Sequence, residues 1–486
     1  MDCQPVLVWL SCHRDYFRFR IPELVSLLTL YYTTKDCFEE IGLTQHLNQR
    51  KTLYIEHENK SSDQAFYCLD RGSQSAIALG KDEDVFIVLL LPLSDVPKIA
   101  SQILNRSVLI KGFYHLWAKA PSYDTIQSNF RVPLSMIQEW INPKKSFSFL
   151  IKSFGHCLSE TEKIQRMSHF SFLFTSDIKA NIKNPDTKLV IFEKWERSAV
   201  CDSPTLQQVF FTRTIEASPS RLPWFSKYSL KSRPILGPTT LDHELSFLMA
   251  NQAKITPGTI VLDPFCGTGS LLLAASHFGA LTLGGDIDSR VLKGWGVSRF
   301  NLNVPVLSEN TSIFQNFIHY DLPVPEILRI DIAAWTRYPV KAMTSYIKPW
   351  IDVILTDPPY GVRACVRHVA CSTNMGEENT VDKNADFIPA THVTTTTCVI
   401  KCVKRKCFLL QIVVVHCSSL LDIASLLLVD HGLLVFLCPV IEINALNDIE
   451  ALKHPDLKLK AASLQSLSKG TARVLLTYCR IARTSL

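Results

Sequence analysis

The stretch Val261-Leu262-Asp263-Pro264-Phe265-Cys266-Gly267-Thr268-Gly269-Ser270 constrains the fold of this chain more than any other. Residues 260–262 form a short apolar run, the two glycines turn the chain, and residues 271–278 read as a helix. Glycine lets the backbone bend tightly and approach a ligand, and unpaired N–H groups at a helix start line such a bend. Residues 281–285 read as the next strand, 289–300 as the next helix, and 351–355 and 432–437 as later strands. Strand and helix alternating at this spacing predict an α/β class, with a Rossmann-like, doubly wound parallel sheet.

The turn is not a triphosphate-binding loop, because no Lys follows the second glycine. It also lacks the three spaced glycines of a dinucleotide fingerprint. Its acids suit a different ligand. Asp263, at a strand's carboxyl end, can hold the ammonium of a cationic amino-acid moiety. Asp286 follows 286 − 263 = 23 residues on, at the end of the next strand, where an acid accepts hydrogen bonds from ribose hydroxyls. Phe265, Gly267, Thr268 and Gly269 complete the candidate cofactor set.

A second motif, Thr356-Asp357-Pro358-Pro359-Tyr360-Gly361, ends the strand at 351–355. Two prolines cannot continue a sheet ladder, so the chain leaves the sheet at its carboxyl edge, where ligands bind in such folds. The Asp357 carboxylate and a proline carbonyl can accept both hydrogens of an exocyclic amino group, which aims the nitrogen lone pair at an electrophilic methyl. Tyr360 offers a face on which an unstacked base can lie. Orientation and electrostatics supply the acceleration, with no strong general base required. Asp357, Pro358, Pro359 and Tyr360 are therefore the candidate catalytic residues.

The first part of the chain reads as α+β. Strands are expected at 6–10, 84–91, 108–117, 147–154, 188–192 and 209–215. Helices are expected at 21–32, at 94–103 with Ser94 or Asp95 as cap, and after the Ser159-Glu160-Thr161-Glu162 start signal. Residues 217–238, with four prolines and several serines, read as a linker. The expected division is an amino-terminal α+β region at 1–80, a second α+β region at 81–216, a linker at 217–240 and the Rossmann-like domain at 241–486. Residues 364–416 are atypical: they hold five Cys, a run of four Thr and a basic patch, and show no clear period.

Of 486 residues, 47% are hydrophobic and 20% charged, a globular rather than a disordered balance. The formal net charge of +6 is a mild bias toward polyanions. No secretory signal opens the chain, so its 15 Cys are read as thiols of a cytoplasmic protein. The apolar runs at 85–92 and 420–440 are too short or too interrupted by Asp, His and Gly to span a membrane. Cys398, Cys402 and Cys407 with His392 and His416 lack the paired spacing of a zinc knuckle, so no metal site is expected.

Together, the glycine turn, the acids and Asp-Pro-Pro-Tyr resemble the S-adenosylmethionine-dependent amino-group methyltransferases that act on nucleic acids. More narrowly, the chain resembles the catalytic subunits of the eukaryotic tRNA (guanine-10-N2)-methyltransferases. The narrower likeness is carried by residues 19–24, 158–166, 181–186, 233–242 and 245–252. It implies a THUMP-containing region that grips the acceptor end of tRNA, and a methyltransferase domain that reaches a guanosine N2. By this resemblance Asp331 occupies the place of the acid that binds the cofactor's adenine amino group. It also implies phosphate contacts from a basic set across the THUMP-like region: Lys144, Lys145, Lys152, Lys163, Arg166, Lys179 and Lys183. A small zinc-binding activator subunit, pairing with the methyltransferase sheet, is implied on the same ground.

The likeness fails over residues 371–415, which read either as a lineage-specific insertion or as a translated non-coding piece. Two rival functions stay open at this point: amino methylation of another base of RNA or DNA, and a catalytically silent tRNA-binding subunit. Nothing in the sequence decides between one and two methyl groups on the product.

Overall fold

The computed structural model describes residues 3–32, 76–78, 85–175, 177–196, 204–218, 222, 224–294, 299–300, 312–331, 348–359, 417–441, 448–449, 451–468 and 471–483. Tyr360 and the atypical segment 364–416, including the Cys and His weighed for zinc, lie outside them. The chain divides into two compact units.

The first unit comprises residues 1–229, 247–254 and 460–465. Its strands are Cys3–Leu10 (β1), Ala76–Ala78 (β2), Phe86–Pro92 (β3), Ile110–Ala120 (β4), Phe147–Phe154 (β5), Thr187–Glu196 (β6) and Thr205–Ala217 (β7). A mixed sheet runs β3-β1-β4-β7-β6-β5, antiparallel except for β5 beside β6. Alternation along β1 divides its two faces. Val6, Val8 and Leu10 pack with Ile21, Leu24 and Leu27 of the helix Arg20–Tyr32 (α1) and with Ile99 and Ile103 of Val96–Leu104 (α2). Leu7 joins Phe86, Tyr114, Phe192 and Phe210 in a second cluster.

Leu134–Gln138 (α3) adds Ile137 to a third cluster around Trp117 and Phe211. Glu160–Ser168 (α4) starts as its sequence requires. The Ser159 hydroxyl accepts from the Glu162 amide at 3.3 Å, and the Ser159 amide donates to Glu162 Oε2 at 2.8 Å. The start of α2 differs from expectation. Asp95 occupies the cap position but makes no capping bond; Ser94 Oγ donates to its carboxylate at 3.1 Å instead.

The second unit comprises residues 230–246, 255–459 and 466–486. It contains Ile235–Leu236 (β8), Ile260–Asp263 (β9), Leu281–Asp286 (β10), Arg299–Phe300 (β11), Glu326–Arg329 (β12), Ile351–Thr356 (β13), Leu428–Ile441 (β14) and Thr471–Arg480, while Leu457–Ser468 (β15) is divided between the units. Naming Thr471–Arg480 β16, the sheet runs β12-β10-β9-β13-β14-β16. The first five strands are parallel and β16 is antiparallel to β14. This is the Rossmann-like sheet the alternation predicts.

His243–Gln252 (α5) precedes β9. Ser270–His277 (α6) follows the glycine turn, and its residues 270–276 are buried. At the opposite, amino-terminal edge Asp352 Oδ2 accepts from the Ile260 amide at 2.8 Å and ties β13 to β9.

Two expectations change here. The helix expected over 289–300 is helical only over Ser289–Leu292 (α7). Gly294 takes a left-handed φ of 71°, which suits a helix end, and Arg299–Phe300 pairs antiparallel with β8. The proline-rich stretch read as a linker is packed structure: Tyr228, Arg233 and Ile235 are each 1% exposed. Tyr228 and Arg233 are drawn inside rather than left in a solvated loop.

Candidate active site

Parallel pairing places the carboxyl ends of β12, β10, β9 and β13 side by side, and each end carries an acid. In spatial order these are Asp331, Asp286, Asp263 and Asp357. Asp286 and Asp263 close β10 and β9. Asp357 follows Thr356, the last residue of β13. Asp331 lies just past β12, where the Ile330 amide donates to the Asp286 carbonyl at 3.0 Å. Sequence separations of tens of residues thus collapse into one edge of one sheet.

The glycine turn is built around two of these acids. Gly267 and Gly269 have φ of 52° and 81°, left-handed values that L side chains rarely adopt. The Gly267 amide donates to Asp286 Oδ2 at 3.0 Å, and the Asp288 amide donates to Oδ1 at 2.8 Å. The Phe265 amide donates to Asp263 Oδ1 at 3.1 Å. Among the described residues, a Cβ on Gly267 would meet nothing within 4 Å, so this side of the turn opens on space, whereas one on Gly269 would meet the Phe317 ring at 3.1 Å.

Behind the turn, Asn316 of Phe314–His319 (α8) is fully buried. It donates to the Thr268 and Ile235 carbonyls at 3.0 Å each and accepts from the Ile235 amide at 2.8 Å. Thr268 and Thr240 share a hydroxyl–hydroxyl bond of 3.0 Å, and buried Arg233 donates to Ser270 Oγ. Sequence reasoning did not single out Asn316, Thr240 or Arg233. Nothing marks an Asn in an unremarkable short helix as the brace of a turn 48 residues away.

Electrostatics single out Asp263. It is 2% exposed, and burial, reinforced by the nearby charges of Asp357 and Asp286, pushes its carboxyl up to about 7, against donors from Thr356 and Phe265. Thr356 Oγ1 donates to Asp263 Oδ1 at 2.6 Å. Asp286 is also raised by burial, held back by the Asp288 and Gly267 amides. Cys266, 4% exposed, has a thiol raised well above its usual range by burial and by Asp263 and Asp286, so it fills space and is not a nucleophile.

The donor set fits a ligand with a cationic end and a sugar diol. Asp263 can ionise against an ammonium, and each Asp286 oxygen keeps a lone pair beyond its amide bond. Asp357 is half-buried, Pro358 buried and Pro359 half-buried at the strand end.

The basic set of the first unit divides by environment. Lys144, Lys179 and Lys183 are exposed. Lys145 Nζ donates to the Glu139 carbonyl at 3.0 Å and lies 4.2 Å over the Trp140 ring. Lys152 lies 4.0 Å over Trp9, and Lys163 pairs with Glu160 at 2.6 Å. Arg166 is engaged most deeply. Its Nε is 3.1 Å from Glu193 Oε1, a fully buried carboxylate that also accepts from Tyr123 and Trp195.

Comparison with known proteins places these observations. Residues 77–220 match the family model "Tmrp11 THUMP N-terminal domain", and residues 231–301 match "RMKL-like, methyltransferase domain". The chain is 30% identical over 403 residues to tRNA (guanine(10)-N(2))-methyltransferase TRMT11 of Rattus norvegicus, covering 82% of this chain and 79% of the relative. The relative of the same name from Xenopus laevis is 29% identical, over 95% of this chain and 82% of its own length. The tRNA (guanine(10)-N(2))-methyltransferase of Saccharomyces cerevisiae is 27% identical, over 77% and 80%. Among the described residues no helix is long and apolar enough to cross a membrane.

Proposed function

This chain belongs to the tRNA (guanine(10)-N(2))-methyltransferase family, and from that premise we propose that it methylates the N2 amino group of guanosine 10 in tRNA as the catalytic subunit. The observation that carries the reading is the row of four acids on adjoining strand ends, with the glycine turn between them. S-adenosylmethionine, when bound, supplies the electrophilic methyl group.

The chain's own residues do the rest. Asp263 takes the ammonium end, Asp286 the ribose hydroxyls and Asp331 the adenine amino group, while Phe265, Gly267, Thr268 and Gly269 shape the cradle. The Asp357 carboxylate and the Pro358 carbonyl accept the two hydrogens of the guanine amine and turn its lone pair toward the methyl. Pro359 fixes the direction of the loop, and Tyr360 stacks the base. Catalysis comes from holding the amine in line with the methyl, with acceptors fixed on its two hydrogens.

On this reading residues 81–216 grip the tRNA, with Lys144, Lys145, Lys163, Arg166 and Lys183 as the basic side. The exposed Lys144 and Lys183 suit direct phosphate contact. The edge strand β12 is the place for a small zinc-binding activator subunit. Leu281, Val324 and Leu328, 62%, 54% and 64% exposed, give such a partner apolar surface to cover. The cytoplasm is the compartment that fits a thiol-rich tRNA enzyme.

The test is deletion followed by mapping of modified guanosines in bulk tRNA. N2-methylguanosine should vanish at one position and return with the wild type but not with Asp357→Ala. A purified chain that binds tRNA but no S-adenosylmethionine would overturn the reading.

A further inference from the structure

We propose that Thr356 is a positioning residue: its hydroxyl orients the Asp263 carboxylate toward the cofactor's ammonium and, through the adjoining backbone, ties the start of the Asp357 loop to the cofactor pocket. The proposal rests on S-adenosylmethionine being the cofactor, and it gives a role to Thr356, which opens the second motif but belongs to neither the candidate catalytic nor the candidate cofactor set.

Thr356 is fully buried and is the last residue of β13. Parallel pairing sets Ile354 beside Leu262, so the strand ends carrying Thr356 and Asp263 lie together. Its Oγ1 donates to Asp263 Oδ1 at 2.6 Å, a short bond to a carboxylate that is itself 2% exposed. A β-branched side chain in a strand has little χ1 freedom, so the hydroxyl is held in that direction. A buried threonine commonly satisfies its hydroxyl on a nearby carbonyl; here it reaches 93 residues back to the acid of the cofactor turn. The next residue is Asp357, so one peptide unit separates the bond to the cofactor acid from the carboxylate that receives the substrate amine.

Among the described residues, the charged and titratable groups facing Asp263 are Asp286 from β10, Asp357 beyond β13 and the Cys266 thiol of its own turn. Asp286 and Asp357 oppose its ionisation, and the Thr356 hydroxyl and Phe265 amide favour it. Removing the hydroxyl leaves the carboxyl neutral to higher pH, and a neutral carboxyl binds an ammonium weakly.

The test is calorimetric titration of S-adenosylmethionine into the full chain between about pH 6 and pH 8.5, for wild type, Thr356→Val and Thr356→Ser. Thr356→Val should bind about tenfold more weakly at pH 7, with the midpoint of its affinity–pH curve about one unit higher, the scale of one bond to a charged group. Thr356→Ser keeps the donor and should stay close to wild type. Ionisation of the cofactor's own amine is common to all three and cancels in the comparison. If Thr356→Val melts too early to titrate, Thr356→Ala takes its place.

A wild-type curve from the variant overturns the proposal, and so does a uniform weakening with an unmoved midpoint, which is what lost packing alone would give. A wild-type chain that binds no S-adenosylmethionine at any pH overturns the cofactor reading and this inference with it. A bound wild type with an unaffected variant overturns the inference alone.

Discussion

The Gly267 amide and Asp286 Oδ2 lie 3.0 Å apart, so the turn after β9 and the acid closing β10 form one hydrogen-bonded unit. Asp286→Ala removes the acceptor for that amide and for the Asp288 amide together. The expected result is a loss of S-adenosylmethionine affinity of at least about tenfold, read by calorimetry, with a fall in Tm from two unsatisfied amides. Unchanged affinity would remove Asp286 from the cofactor set.

The two glycines of the turn should fail differently. Gly269→Ala places a Cβ against Phe317 at a left-handed φ of 81°, so it should cost roughly 1–3 kcal/mol of stability in a denaturant melt. Gly267→Ala, at a φ of 52°, points its Cβ into open space. It should cost only about 1 kcal/mol of stability yet weaken cofactor binding by about tenfold, because the new methyl enters the ligand's space. Equal ratios of affinity loss to stability loss would contradict this division.

Asp263→Asn should separate stability from function. A carboxyl raised from 3.8 to about 7 binds more protons folded than unfolded, so it lowers stability as pH rises from about 4 to 7. Asn removes that penalty. The variant should be more stable than wild type at pH 8 by roughly 2–4 kcal/mol, with the gain gone near pH 4. It should also lose cofactor binding. A variant less stable at pH 8 would mean that the ionised carboxylate is better compensated than its surroundings indicate.

Asp357→Ala should lower kcat for tRNA methylation by about a hundredfold or more while leaving cofactor affinity within a few-fold, since it acts on the amine. A matched collapse of cofactor binding would instead assign Asp357 to the cofactor.

The basic set should split in two. Lys183→Ala should leave Tm unchanged and reduce the dependence of log tRNA affinity on log salt by about one. Arg166→Ala should cost about 3 kcal/mol of stability, because it leaves Glu193 buried without its cation. A thermally silent Arg166→Ala would return that residue to the solvent-facing group.

Local chemistry made some of this legible in advance. Apolar period, turn residues and capping signals depend on neighbours a few positions apart, so β5, the capping box of α4 and the glycine turn could all be read from the chain. The same locality misled where packing prevailed. Nothing within 289–300 announces that residues 299–300 leave the helix to pair with a strand more than 60 residues earlier. Arg233 and Tyr228 looked like parts of a loop because their burial depends on the elements that cover them.

By itself, then, the sequence determined the parallel α/β sheet, the glycine turn and that Asp263, Asp286 and Asp357 end strands, since each of these is written in contiguous residues; the strand before Asp331 came only with the structure. Only the tertiary structure decided that Asp331, Asp286, Asp263 and Asp357 stand in one row, that Asn316 braces the turn, and that Thr356 donates to Asp263. Strand order and parallel register bring those groups together, and burial then raises the Asp263 carboxyl. Both are properties of the assembled sheet rather than of any segment of it.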